Sequence, residues 1–399
     1  MKKGWHGVAA GMFAVGWGAN QFSSMLIAYR DQRGLSTATD DGLFGIYAIA
    51  LIMALLLGGP AADRWGRRYV VRPAVVASIV ASALLVAGDH SVGLLYAGRF
   101  VAGLASGAIF AAGSAWVKEL SRESEDAGAR RAALALSFGF GLGPLAAGLV
   151  AQWAPHPLVT AYVPHLVIAT GALAVLWTAP ETVRGPAGPS YLARLRIRGV
   201  GQPRFRRVVL PAAVWVFAGP SIAMVVLPEL VSAHLHGYPL VFSGVAAVLT
   251  LGTGVAVQRI ARRLDRPGQV TGLLVGLGAT TAGVLLGALT ALTANPALAL
   301  LAAVPLGAGY GLLIVSGLLE TQRLAAPEEL AGLTAVYYAL TYVGFGLPLL
   351  LAWLHSYAGY PAMLCVVAGV AVLCALTVAV HGRAGQPGRL RSESAAEVR

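Results

Sequence analysis

The chain has little charge and almost no cysteine. Only 12% of its 399 residues are charged, and the 17 acidic residues are outnumbered by 29 Lys and Arg. The two cysteines, Cys365 and Cys374, fall in the same apolar run near the end of the chain. This pattern excludes a disulfide framework and a cysteine-based zinc site. We expect no metal and no cofactor.

Sequence motifs of membrane enzymes are missing as well. The chain has no Gly-x-Ser-x-Gly, no His-Glu-x-x-His and no pair of Asp-rich prenyl-diphosphate motifs. Its net charge of +12 is spread over short segments between apolar runs. A nucleic-acid-binding protein would need a basic face on a soluble fold. We therefore expect neither an enzyme nor a nucleic-acid partner.

Apolar runs fill most of the sequence. Hydrophobic residues make up 57% of the chain, and the mean hydropathy is +0.72. A run of about 20 apolar residues crosses the hydrocarbon of a bilayer as a helix. The sequence predicts twelve such spans, at 7–29, 41–59, 70–88, 94–117, 132–153, 159–178, 208–231, 240–260, 270–293, 297–319, 333–355 and 360–380. The lipid bilayer is thus the first expected partner.

The basic residues predict the orientation of the spans. If the first span starts in the cytoplasm, every Lys and Arg except Arg30, Arg33 and Arg99 falls in a cytoplasmic segment. Cytoplasmic loops carry an excess of Lys and Arg in membrane proteins. We therefore expect a multi-pass protein of the bacterial inner membrane with both termini in the cytoplasm.

The longest break in hydrophobicity divides the chain near its middle. It runs from 179 to 207 and leaves six spans on each side. The sequence DRWGRR at 63–68, after the second span, has a counterpart DRPGQ at 265–269, after the eighth. Parallel repeats leave such echoes. We predict an N-terminal six-helix bundle at 1–180, a cytoplasmic linker at 181–207, a C-terminal bundle at 208–380 and a disordered cytoplasmic tail at 381–399.

The loop after the second span concentrates charge in a chain that otherwise avoids it. An Asp and several Arg there can form charge-assisted hydrogen bonds in one conformation and lose them in another. GGPAADRWGRR resembles motif A of the major facilitator superfamily, where the Asp and Arg stabilise the outward-facing state. The matching residues are Gly59, Asp63, Arg64, Gly66, Arg67 and Arg68, and their C-terminal counterparts are Asp265, Arg266 and Gly268.

Two further segments are similar to motifs of the same family. RFVAGLASG, from Arg99, resembles motif B, whose buried Arg is linked to proton coupling. GFGLGPLAAG resembles the antiporter motif C through Gly139, Gly143, Pro144 and Gly148, although Ala147 stands where Gly is more usual. Small residues four apart let helices approach closely, and the proline allows a bend that suits a gate.

The family resemblance covers essentially the whole chain. APET at 179–182 is similar to the sequence that often ends the sixth span in the family. The resemblance implies an all-α membrane protein with twelve transmembrane helices in two six-helix pseudo-repeats, the major facilitator fold. Bacterial drug:proton antiporters are the members that it resembles.

Few side chains at membrane depth can take part in proton coupling. The candidates are Arg99, Asp41, His165 and Glu229. A lone His on a helix, such as His165, is more often a hydrogen-bonded structural residue, and the first-turn position of Asp40 and Asp41 favours a capping role for at least one of them. Drug exporters of the family often carry an acid in the first span, where this chain has only Asn20 and Gln21.

Polar and aromatic side chains on apolar helices are the candidates for substrate contacts. They are Asn20, Gln21, Ser24, Tyr29, Tyr47, Trp215, Tyr337, Tyr338 and Tyr342. Tyr29 can also be an interfacial anchor, and the three tyrosines from Tyr337 to Tyr342 can also be packing residues.

These observations together predict a monomeric secondary transporter that works by alternating access. We expect proton-coupled efflux of small amphipathic compounds, drugs or secondary metabolites, as in multidrug resistance. Uptake of a small metabolite by proton symport or facilitated transport is the alternative. A non-transporting membrane receptor or scaffold is the alternative from another class.

Overall fold

The computed structural model describes residues 4–121, 125–183, 198–264, 266, 268–325 and 330–382. Within these residues the fold is all-α, and twelve long helices follow one another in chain order, as the sequence predicted. They are α1 (Gly4–Arg33), α2 (Thr37–Trp65), α3 (Arg67–Ala87), α4 (Val92–Leu120), α5 (Glu125–Trp153), α6 (Pro157–Leu176), α7 (Phe205–His234), α8 (Pro239–Leu264), α9 (Thr271–Thr293), α10 (Pro296–Leu324), α11 (Leu330–Leu354) and α12 (Tyr360–Gly382).

Eleven helices among the described residues are long and apolar enough to cross a membrane. The remaining one, α1, has 30 residues, and its second half contains Asn20, Gln21, Ser23 and Ser24. Those four side chains are buried inside the bundle, so α1 places polar groups in the interior rather than in lipid. Parts of the predicted linker and tail, residues 184–197 and 383–399, lie outside the described residues.

The two ends of the bundle take their names from the course of the chain. The terminus side is the side where α1 begins and α12 ends, and the far side is where α1 ends and α2 begins. Most helices are longer than the apolar runs that predicted them. For example, the 29 residues of α2 extend about 44 Å at 1.5 Å per residue, which covers the hydrocarbon and the interfacial layers.

Local signals place the helix ends. Ser36 caps α2 by accepting a hydrogen bond at its side-chain oxygen from the backbone N–H of Thr39, at 3.2 Å. α2 and α3 are separated by Gly66 alone, which has a φ of 111°. That φ lies in the region that glycine tolerates best, so the break requires a residue without a Cβ.

Helix packing repeats after a shift of six helices. α2 and α3 both pack on α4, and α8 and α9 both pack on α10. Likewise α3 packs on α6, and α9 packs on α12. The first six helices, here called the N-half, meet the last six, the C-half, where α5 packs on α8 and α2 packs on α11. This pattern agrees with the repeat that DRWGRR and DRPGQ suggested.

Two helices of the C-half are irregular. α7 contains two π-helical turns, Phe205–Val209 and Ile222–Val226, and three prolines. α11 is interrupted by a 3₁₀ turn at Gly344–Gly346, just before Pro348. A Cβ on Gly344 would clash with the backbone of Ala218, so the two interrupted helices cross in close contact. Irregular backbone at this depth is tolerated because it is buried in protein.

Candidate functional site

An ionic cluster at the terminus side is formed by the motif-A-like loop. Arg67, at the start of α3, contacts Asp63 of α2 at 2.5 Å and Glu119 of α4 at 2.8 Å. The Thr182 hydroxyl also donates to Glu119. Arg67 is buried while both carboxylates are partly exposed, so one guanidinium joins three helix ends. Two of these side chains, Asp63 and Arg67, were predicted from the sequence.

Glu181 of the APET sequence caps α3. Its carboxylate accepts hydrogen bonds from the backbone N–H groups of Arg67 and Arg68, each at 3.0 Å. Burial acts to raise the pKa of the Glu181 carboxyl, but the backbone N–H groups around it outweigh burial and lower the pKa. A Cβ on Gly66 would meet this carboxylate at 2.7 Å, which is the second reason for glycine there. The sequence singled out APET by resemblance only, and the structure shows its physical role.

The partners named above belong to the N-half or to the segment that follows α6. Of the other motif residues, Gly59 lies against Ala111, while Arg68 stacks on the ring of Tyr69 at 4.9 Å. Arg64 lies in the last turn of α2. In this conformation the named contacts bind elements of one half together, and the latch between conformations stays a prediction.

The predicted C-terminal counterpart is only partly visible. Asp265 lies outside the described residues; Arg266 is exposed, and Gly268 has a φ of 80°. A different ionic group occupies the matching end of the C-half. The Glu320 carboxylate near the end of α10 accepts from Arg204 and, at 3.4 Å, from Arg323. The sequence placed Glu320 at the end of the tenth span but did not show that it meets these arginines, although Glu119 and Glu320 both close helices that correspond after the six-helix shift.

An ionic triad, Arg30–Asp40–Glu229, links the two halves on the far side. Arg30 of α1 contacts Asp40 at 2.6 Å and Glu229 of α7 at 2.7 Å. Asp40 lies in the first turn of α2, just before the span Gly42–Trp65. Glu229 was predicted as a candidate for proton coupling. From the sequence, Asp40 was only a possible helix cap, and Arg30 was one of the few basic residues outside the predicted cytoplasmic segments. Nothing in the sequence shows that these three helix ends meet.

The carboxyl of Asp40 is electrostatically unusual. Its side chain is fully buried, and burial raises its pKa to about 7 even though Arg30 acts in the opposite direction. Glu229 repels the ionised form and adds to the rise. The neighbouring candidate Asp41 lies in α2, but its side chain is outside the described part of the structure. Asp40 is therefore a group that titrates near neutral pH at the junction of the halves.

Arg99 is held inside the N-half by carbonyl groups and aromatic rings. Its side chain is 0% exposed, with Nε donating to the Leu43 carbonyl at 3.1 Å and Nη1 to the Ala19 carbonyl at 3.2 Å. Its guanidinium carbon lies 4.3 Å from the ring centroid of Tyr47 and 4.5 Å from that of Phe22. Hydrogen bonds and cation–π contacts offset the cost of burying this charge.

His165 belongs to a polar network inside the N-half. Its Nδ1 is 2.8 Å from the Ser82 hydroxyl, and its Nε2 is 3.1 Å from the Ala14 carbonyl. Gln21 donates to the same Ser82 hydroxyl at 3.0 Å. These contacts join α1, α3 and α6, and none of them reaches the C-half. The geometry agrees with the structural interpretation of His165, and it places Gln21 in the same network.

A layer of rings crosses the junction of the halves within the membrane-spanning helices. We call it the aromatic layer, and its members are Phe44, Tyr47, Phe110 and Phe140 of the N-half and Phe217, Tyr310, Tyr342 and Phe345 of the C-half. Tyr342 stacks on Phe217, with centroids 4.5 Å apart, and Phe345 meets Phe44 edge-on at 5.0 Å. Of the eight rings, only Tyr47 and Tyr342 were candidates from the sequence.

The other predicted substrate contacts are distributed around this layer. Tyr337 donates to the Leu313 carbonyl at 2.8 Å within the C-half and contacts the ring of Tyr338, which fits packing. Tyr29 shares a hydrogen bond with Tyr162 at 3.0 Å. Asn20 is buried, and the side-chain atoms Oγ of Ser24 and Nε1 of Trp215 are buried without a hydrogen-bond partner. The predicted set is therefore not one continuous surface.

The motif-C-like helix contacts both halves. A Cβ on Gly139 or Gly143 would run into the α1 backbone, and one on Gly148 would lie 2.5 Å from the Leu240 carbonyl of α8. Gly244 of α8 in turn lies close to the backbone of Pro144. The small residues of α5 thus permit its close approach to α1 on one side and to α8 of the other half on the other.

The comparisons with known proteins agree with this architecture. The family description "Major Facilitator Superfamily" matches residues 8–347, so the chain belongs to the major facilitator superfamily. This places it among membrane transporters of small molecules. No curated protein matches the chain.

Solved structures of the same fold cover nearly the whole chain. A peptide transporter POT in complex with sulfate has a TM-score of 0.78 at 15% identity, covering 96% of this chain and 94% of that one. A POT family transporter in complex with 5-aminolevulinic acid gives 0.78 at 15%, covering 96% of both. The human organic anion transporter MFSD10 (TETRAN) gives 0.67 at 19%, covering 94% and 99%.

Proposed function

We propose that the chain is a proton-coupled exporter of small amphipathic compounds that works by alternating access. The observation that carries the proposal is the bridge of Arg30 to Asp40 in its own half and to Glu229 in the other. An alternating-access carrier must separate its halves on one side and then on the other. The Arg30–Glu229 contact breaks whenever the far side opens.

The position of Asp40 supports coupling of this movement to protons. With the far side closed, its pKa is about 7. Opening hydrates Asp40 and removes Glu229, so the pKa falls towards the ordinary value of 3.8. Closing the far side therefore takes up a proton. If both termini are cytoplasmic, as the basic residues predict, that proton comes from outside the cell, as proton antiport and proton symport both require.

Two features support the direction and the cargo. α5 carries the antiporter-like sequence and touches α1 and α8, so its bending would move both halves. The aromatic layer offers ring surfaces where the halves meet, and such surfaces suit amphipathic molecules. In this proposal the protein is a monomer in a bacterial inner membrane. Asp63, Arg67, Glu119 and Glu181 brace the terminus side of the N-half during the movement.

Uptake by proton symport is the second candidate function. It is favoured by the POT family transporters among the similar structures, one of which is described with a bound thioalcohol-conjugated peptide. At 15% identity those structures show a shared fold only. The two functions differ in whether the substrate moves against or with the proton.

A transport assay separates these functions. A growth-inhibition screen with and without the gene, in an efflux-deficient host, first selects compounds whose toxicity falls. Inverted membrane vesicles then receive a pH gradient, acidic inside, and accumulation of a selected compound is measured. Export predicts accumulation that collapses with a protonophore. Uptake into right-side-out vesicles would instead support symport, and transport in neither orientation would leave the receptor or scaffold interpretation.

A further inference from the structure

We propose that the aromatic layer selects substrates that carry an aromatic ring and no positive charge, that is, neutral or anionic aromatic compounds. The inference rests on the proposed function and names the substrate class of the same site. It narrows the sequence-based expectation of small amphipathic compounds by charge.

The layer has the geometry of a ring-binding surface. Phe110 of α4 contacts Phe140 of α5 edge-on at 5.4 Å and lies parallel to Tyr342 of α11 at 6.3 Å. Phe217 of α7 stacks on Phe345 at 4.9 Å. The rings of the layer come from six helices of both halves and form one surface, and separating the halves moves Tyr342 away from Phe110. A planar ligand can then take the place of the departed ring, because offset-stacked and edge-on arrangements are both favourable.

The described carboxylate nearest to this layer along the chain, Asp40, lies one turn before Phe44 on α2 and is paired with Arg30. The described Asp and Glu residues whose side chains are defined lie near helix ends or in loops. They are Asp31, Asp40, Asp89 and Glu229 on the far side, and Asp63, Glu119, Glu181 and Glu320 on the terminus side. All but Asp31 form an ion pair with an arginine. Within the described part of the chain, a cationic substrate on the layer would thus find only carboxylates that arginine already neutralises, and burial of an unpaired charge is costly.

The charge that does lie away from the helix ends is positive. Among the described residues, Arg99 is the only charged side chain that lies away from the helix ends. Its guanidinium carbon is 4.3 Å from the ring centroid of Tyr47 and 6.0 Å from that of Phe44, and both rings contact Phe345 of the other half. Arg99 thus lies one ring behind the layer and is bonded only to neutral carbonyl groups and rings. Its field attracts an anion and repels a cation on the layer.

An unsatisfied hydrogen-bond donor also favours neutral or anionic substrates over cationic ones. The Trp215 indole Nε1 is buried without a hydrogen-bond partner, and Trp215 belongs to the same buried cluster as Phe217, Tyr310 and Tyr342. An indole N–H can only donate, so its complement is a carbonyl, hydroxyl or carboxylate oxygen and never an ammonium group.

Binding of three matched probes tests the inference independently of transport. The probes are 2-naphthoate, 2-naphthalenemethanol and 2-naphthylmethylammonium, which share one ring system and differ in charge. Their Kd values are measured by calorimetry on the purified full-length protein in lipid nanodiscs. We expect the anion and the alcohol to bind at least tenfold more tightly than the ammonium compound.

Two sets of variants assign the selectivity to these residues. Arg99→Gln should reduce the preference for the anion over the ammonium probe to less than threefold, and Arg99→Lys, which keeps the charge, should retain it. Phe140→Leu should weaken binding of all three probes about tenfold. Its matched control is Phe138→Leu on the same helix, since Phe138 is 58% exposed while Phe140 is 7% exposed.

The results separate the inference from the proposed function. Equal binding of the three probes, binding of none, or equal effects of the two phenylalanine variants would overturn the inference. Selective binding combined with a lack of pH-driven movement in proteoliposomes would contradict the proposed function and leave the substrate class standing. Gradient-driven transport of the ammonium probe would support the proposed function and overturn the substrate class.

Discussion

Replacing Asp40 with Asn removes the titrating group of the far-side triad and keeps the size of the side chain. Asn cannot be ionised, so Arg30 stays paired with Glu229 alone, without a competing or repelling carboxylate. The variant therefore resembles the protonated form of the protein at every pH. We expect its far side to be closed at both acidic and alkaline pH.

The magnitude follows from the pKa of Asp40. Its pKa is about 7 in the closed state and approaches 3.8 when the far side is open and hydrated. A raised pKa in the closed state means that protonation favours closure below pH 7 and that this advantage is lost as the pH rises through 7. With about 1.36 kcal/mol per pKa unit, the wild-type protein should lose about 2–3 kcal/mol of closure between pH 5 and pH 8, roughly a hundredfold in population.

Distance measurements between spin labels follow this equilibrium directly. Labels are placed on cysteines at Gln32, in the last turn of α1, and at Ala233, at the end of α7, because both side chains are exposed. The native cysteines, Cys365 and Cys374, are first replaced by serine. The long-distance population should grow with pH in the parent protein and stay small in Asp40→Asn.

The ion pair of Arg33 with Asp89 offers a matched control. It lies on the same side at 3.1 Å, but both residues belong to the N-half. Asp89→Asn should therefore keep the full pH response. If Asp40→Asn responds to pH as the parent does, or if Asp89→Asn loses the response equally, the triad does not control the far side.

Three further predictions concern other parts of the structure. Glu181→Ala should cost about 1–2 kcal/mol in thermal unfolding, because the N-terminus of α3 loses its cap. In the wild-type protein this contribution is present above the ordinary pKa of 4.5 and lost as the pH falls through the lowered folded value, so the difference between the two proteins should shrink at acidic pH. Gly148→Val should separate α5 from α8 and increase the open far-side population in the spin-label assay, whereas Gly141→Val, which meets nothing within 4 Å, should not. Asp63→Asn should abolish transport with normal membrane insertion, since Arg67 loses its 2.5 Å partner; unchanged efflux would show that the N-half rim is dispensable.

Much of the architecture could be predicted because its signals are local. Each span is recognised by its own apolar length, and the charged loop after α2 is recognised by its own motif. Arg99 could be predicted as a buried functional candidate from its position within an apolar run. Glu229 was predicted for the same reason, without a partner.

Partners could not be predicted, because both lipid-facing and protein-facing surfaces of these helices are apolar. In a soluble helix the polar face shows which side is exposed, but here Phe138 and Phe140 look alike in sequence, and only the fold separates them. For this reason the sequence did not reveal six of the eight rings of the aromatic layer. It also did not reveal that Arg204 pairs with Glu320, which lies on a distant helix.

From the sequence alone it follows that the chain crosses a membrane as helices, that its two halves repeat, and that it belongs with the major facilitator transporters. Bilayer thickness and the cost of buried charge act on each segment separately, so these properties can be read segment by segment. Helix packing was needed to show that Arg30 reaches Glu229, that Asp40 between them titrates near neutral pH, and that eight rings meet in one layer. Those properties depend on distances between residues far apart in the chain, and such distances are established only when the helices pack.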